Sequence, residues 1–135
     1  MAVPVGFSQL WEFWSGNWWL AINGTWIGYY PGSVYRGGPL TYGNATFSDF
    51  GGETRKGSSS WPEMGSGWAP YNGFGYAAFQ NDVWYIDPTY TTVWSSLTPE
   101  TESPCYDVII TPASAGSSWG TYLYFGGPGG WLTSC

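Results

Sequence analysis

The groups in this chain that could perform chemistry are few and of one kind. Nine carboxylates (Glu12, Asp49, Glu53, Glu63, Asp82, Asp87, Glu100, Glu102 and Asp107) face three basic side chains, Arg36, Arg55 and Lys56, and histidine is absent. Without imidazole, Ser-His-Asp and Cys-His nucleophile systems, histidine-zinc sites and histidine switches are excluded from the chain itself. Any proton transfer falls to carboxyl groups. The formal net charge of −6 repels phosphate backbones, which excludes nucleic acid as a partner. Protonating every acid leaves a charge of only about +4, so self-repulsion stays small and acid is tolerated.

Cys105 and Cys135 are the only cysteines, and their spacing fits no metal motif. Joined, they would stabilise the fold by roughly 3–4 kcal/mol and imply an oxidising compartment; left as thiols, they would suit a reducing one. The sequons at Asn23 and Asn44 are compatible with secretion. Met1 to Gln9 has neither a basic start nor a continuous apolar stretch, and no run of about eighteen apolar residues occurs, so neither an export leader nor a membrane span is expected. A secreted-type body without a leader reads as a chain whose N-terminal part is missing.

The elements that must position the carboxylates are β-strands. With 21 Gly and 10 Pro, long helices are disfavoured, and with 21% aromatic but 9% charged residues the apolar payload is carried by rings. Asn23-Gly24 between Trp18–Ile22 and Thr25–Tyr30 predicts a hairpin with a type I′ turn. A two-residue loop then sets Ile22 opposite Thr25, Ala21 opposite Trp26, Leu20 opposite Ile27, Trp19 opposite Gly28 and Trp18 opposite Tyr29. Further strands are expected over Leu10–Trp14, Ala45–Phe50, Tyr76–Gln80 and Val83–Ile86. A second hairpin is expected from Cys105–Thr111 and Trp119–Phe125 across a longer loop, with Gly126–Gly130 ending regular structure. Many short strands with Gly/Pro turns predict an all-β, antiparallel β-sandwich. Gly116-Ser117-Ser118-Trp119-Gly120 spells a nucleophile elbow but leads into a predicted strand, and no histidine is present to serve it.

Several segments in order carry a family resemblance: Gly16-Asn17-Trp18-Trp19-Leu20, Trp26-Ile27-Gly28-Tyr29-Tyr30-Pro31, Gly51-Gly52-Glu53, Met64-Gly65-Ser66-Gly67, Ala77-Ala78, Cys105-Tyr106-Asp107 and Trp119–Gly129. Together they resemble the C-terminal part of the neprosin catalytic domain, over residues 10–135 and leaving 1–9 as a leader-less segment. The resemblance implies a secreted endopeptidase that cleaves after proline in acid, using two glutamates on a β-sandwich and no cofactor or metal. It implies Glu53 as the second of those glutamates, with the first upstream of the Gly-Asn-Trp-Trp segment. It also implies a Cys105–Cys135 disulfide, a proline-containing peptide or protein as substrate, and the N-terminal half of the domain as a partner. Within the chain, Glu12 and Glu63 are substitutes for the missing carboxyl. Two readings compete: a carbohydrate-binding module using exposed Trp and Tyr, and a truncated product whose uncovered strand edges fold poorly.

Overall fold

The computed structural model describes residues 6–131, which cluster into two compact units meeting in sequence at Asp49 and Phe50. Among the described residues all sheets are antiparallel and the only helices are short 3-10 turns, so the chain is all-β as expected.

The first unit is a meander of β1 (Phe7–Glu12), β2 (Asn17–Ile22) and β3 (Thr25–Pro31), in that order in the sheet. Asn23 and Gly24 both take positive φ, 49° and 74°, as a type I′ turn demands. The expected register holds for Ile22–Thr25 and Ala21–Trp26 and then slips by one: Leu20 faces Gly28, Trp19 faces Tyr29 and Trp18 faces Tyr30. Ile27 is the extra residue of a β-bulge. The gain is aromatic. In strict register Trp19 would lie opposite Gly28; after the slip its ring is 5.0 Å from Tyr29 and 6.4 Å from Trp26. Trp18 is the buried anchor of the unit, its ring 5.4 Å from Trp11 and its indole N–H donating to the Leu40 carbonyl at 2.7 Å. Two 3-10 turns, Gly32–Tyr35 and Pro39–Tyr42, follow.

The strand expected over Ala45–Phe50 is not formed. That segment is irregular and Phe47 stands exposed, so its β-prone composition is not realised as a strand.

The second unit holds β4 (Ser60–Trp61), β5 (Ala78–Gln80), β6 (Trp84–Ile86), β7 (Thr92–Trp94), β8 (Asp107–Thr111), β9 (Tyr122–Gly126) and β10 (Gly130–Trp131). Its main sheet has the order β5-β9-β8, and the long-loop hairpin of β8 and β9 is present, pairing Asp107 with Gly126 and Thr111 with Tyr122. β9 alternates: Leu123, 1% exposed, points into the core, while Tyr122 and Tyr124 are half-buried on the other face. The glycine run after β9 does not end regular structure, because β10 pairs with β4 and Met64 bridges to Gly127. Hydrogen bonds from Val83 N–H to the Thr121 carbonyl and from Thr121 Oγ1 to the Ser95 carbonyl tie the β6–β7 hairpin to the start of β9.

Asp87 organises the tip of that hairpin. Its Oδ1 accepts from the Thr89 hydroxyl at 2.7 Å and from the Thr89 and Thr91 N–H groups at 2.8 and 3.0 Å. The Thr89 hydroxyl and these amides hold the Asp87 carboxyl below its ordinary pKa of 3.8. A carboxyl whose pKa is lowered by folding contributes stability above its unfolded value, and that contribution is lost as pH falls through the lower folded value. Asp87→Ala is therefore expected to raise amide exchange at Thr89 and Thr91, whereas Asp87→Asn, which keeps the accepting oxygen, preserves most of the protection. Exchange in Asp87→Ala equal to that of the parent would show that the carboxylate does not order this loop.

Candidate functional site

Glu53 lies in the second unit, on an irregular stretch before β4 and not at the end of a strand. Its side chain is exposed. The backbone beneath it is fixed from both sides. A Cβ on Gly52 would come within 2.8 Å of Phe125 Cε2 and 3.0 Å of Met64 Cγ, so only glycine allows the chain to lie this close to β9. After Glu53, the Thr54 hydroxyl donates to the Tyr106 oxygen at 3.2 Å, and the buried Tyr106 donates onward to the Pro62 carbonyl at 2.7 Å. Tyr106 is held in turn by an edge-to-face contact with Trp61, ring centroids 5.8 Å apart. The backbone that carries Glu53 is thus anchored, while its carboxylate stands open to solvent.

These contacts lay residues 52–54 beside residues 62–64. Gly52 packs on Met64, Thr54 reaches Pro62 through Tyr106, and Glu53 and Glu63 are the middle residues of the two segments. Glu63 nevertheless turns into a different space. Its carboxyl carbon is 3.1 Å from where a Cβ on Gly67 would stand, and it lines a cavity of about 460 Å³ with Trp68, Tyr71 and Pro128, a cavity that Glu53 does not line. Glu12 lies in the first unit, where its Oε2 accepts from the Trp19 indole N–H at 3.1 Å and from the Ser15 hydroxyl, closing the β1–β2 turn. Its carboxylate is committed to that turn. Cys105 precedes β8, its N–H meeting Ser103 Oγ at 3.2 Å; Cys135 lies outside the described residues, and so does the expected bridge.

Phe74, Phe79, Trp119, Tyr122 and Tyr124 form one ring cluster: Trp119 stacks on Phe79 at 5.4 Å and meets Phe74 and Tyr122 edge-on at 5.2 and 5.4 Å. Burial in this cluster, and then the neighbouring Tyr122, push the Tyr124 phenol above its ordinary pKa of 10.0. Trp68 and Tyr71, 52% and 78% exposed, stand at the mouth of the Glu63 cavity, Trp68 edge-on to Tyr76 at 5.7 Å. Sequence reasoning singled out Glu63 but not these two rings. The signal was Pro70-Tyr71-Asn72-Gly73, a turn sequence that forms a 3-10 turn here and presents Tyr71 outward. The elbow-like Gly116–Gly120 stretch is a loop running toward β9 with no helix after it.

In comparison with protein families the Neprosin model fits residues 7–128, most of the chain, and the matched span takes in Glu53, the Met64–Gly67 loop and the Gly126-Gly127-Pro128 stretch. The match connects the chain with a peptidase-related function. With the three-stranded meander and the Gly-Gly-Glu segment both inside that span, the chain belongs to the neprosin family.

Proposed function

We propose that the chain forms part of a secreted glutamic-type endopeptidase that hydrolyses the bond after proline in acid, with Glu53 as one of two catalytic carboxyls. The observation carrying this reading is the exposed Glu53 carboxylate, on a backbone pinned by Gly52 against Phe125 and by Thr54 through Tyr106 to Pro62. In carboxyl-only hydrolysis, one ionised carboxylate takes a proton from the attacking water, whose oxygen bonds the carbonyl carbon. A second, protonated carboxyl gives its proton to the departing nitrogen as the C–N bond breaks. Acid maintains the protonated partner, and the absence of histidine is no handicap. That partner is proposed to lie upstream of the Gly16–Leu20 segment, as the family resemblance implies. Glu12 is engaged by Trp19 and Ser15, and Glu63 faces its own cavity, so neither displaces it. A Cys105–Cys135 bridge, assembly of the sheets into a β-sandwich and a proline-containing protein substrate belong to the same proposal.

The test, made on the chain joined to the N-terminal half of its domain, is hydrolysis of two peptides, one with a single internal proline and one with alanine in its place, at about pH 3 and about pH 7, read by product mass. Cleavage after proline in acid alone is expected. Cleavage indifferent to the residue, or undiminished at neutral pH, would overturn the reading. Retention on insoluble polysaccharide without hydrolysis would favour a sugar-binding module instead.

A further inference from the structure

We propose that the cavity of about 460 Å³ edged by Glu63, Trp68 and Tyr71 binds a cationic peptide side chain, an arginine or a lysine. None of the chain's three basic residues lines it, and its only ionisable carboxylate is Glu63, in a chain of net charge −6. The two exposed rings at its mouth offer negative π-faces, and a cation placed between such a face and a carboxylate is attracted by both. The same unit already contains one pairing of this type, with the Lys56 ammonium 5.6 Å from the centre of the Trp61 ring.

Glu63 contributes acceptors only, and Asn72, one amide N–H of which donates to the Ala69 carbonyl at 2.9 Å, adds its amide oxygen, so the donors of a guanidinium or ammonium group find acceptors in the wall. The loop is shaped for this by the Gly67 N–H to Met64 carbonyl hydrogen bond at 3.1 Å and by Gly67 itself, against which the Glu63 carboxyl rests. Because the site lies open to solvent, binding is weak and falls with added salt.

The inference does not require hydrolysis, and its test is a titration of the whole chain. N-acetyl-argininamide and N-acetyl-lysinamide are added at neutral pH while the Trp68 indole N–H resonance is followed, assigned by its loss in Trp68→Phe. A neutral citrulline analogue and methyl glucoside serve as controls. A saturable shift with the two cations, absent with citrulline, is expected. Glu63→Gln and Tyr71→Ala should each weaken binding by roughly two- to fivefold. Tyr71 is so exposed that its removal leaves the rest of the spectrum in place, which guards against misreading an unfolded variant. Equal response to citrulline, a response to the glucoside alone, or no response to either cation would overturn the assignment, whatever the outcome of the proline assay.

Discussion

Replacing Glu53 by glutamine is expected to lower the rate of post-proline hydrolysis by roughly 10²–10⁴-fold, the contribution ordinarily made by one positioned general acid or base. The denaturation midpoint should stay where it is. Glutamine keeps the volume and reach of glutamate but neither holds nor releases the proton. Because the side chain is exposed, its exchange leaves no buried group unpartnered, and such surface substitutions stay within about 0.5 kcal/mol. The residues that fix the backbone, Gly52 on Phe125 and Thr54 on Tyr106, are untouched. Loss of rate at constant stability would assign the carboxylate to the chemistry. Equal rates in the parent and the variant would remove Glu53 from the mechanism and leave the family relationship standing without it.

What could be read from the sequence, and what could not, follows from the range over which each signal acts. The Asn23-Gly24 turn is local, and its two positive φ angles appear as expected. The register three residues further on is not local. It depends on whether Trp19 meets a ring or a bare glycine, and the bulge at Ile27 settles it in favour of Tyr29. Ala45–Phe50 had the composition of a strand and stays irregular, while Gly130-Trp131 lacked the composition and pairs with β4. For the candidate site, the Gly-Gly-Glu string singled out Glu53 but set it at the end of a strand, whereas it lies on an irregular, exposed stretch. What holds it there is a tyrosine 53 positions later, whose hydroxyl joins Thr54 to Pro62. No periodicity encodes such a contact. The exposed rings beside Glu63 were hidden for the opposite reason: with 21% aromatic residues, two more rings carry no signal until their burial is known.

Gly127→Ala should be among the most damaging small substitutions in the second unit, costing about 3 kcal/mol or more. A Cβ at this position would be driven into the Cys105 carbonyl oxygen and would stand 3.2 Å from Tyr106 Cα. Both obstacles are backbone, so no rotamer change relieves them. The displaced strand would also lose the Met64–Gly127 bridge, in which the Met64 N–H meets the Gly127 carbonyl at 3.0 Å. Segment 62–64 and the Tyr106 hydrogen bond to Pro62 would be released with it, and these anchor the backbone around Glu53. Gly116→Ala provides the comparison. Gly116 has φ of 83° but nothing within 4 Å of an added Cβ, so alanine there bears only the left-handed backbone penalty, about 1 kcal/mol. Urea denaturation of the two variants separates crowding from backbone strain. If they lose equal stability, close approach of β9 to the Cys105–Tyr106 backbone is not what makes glycine necessary at 127. If only Gly127→Ala is severe, and amide exchange at Met64 accelerates with it, the Glu53 segment owes its fixed position to a glycine that never touches the carboxylate.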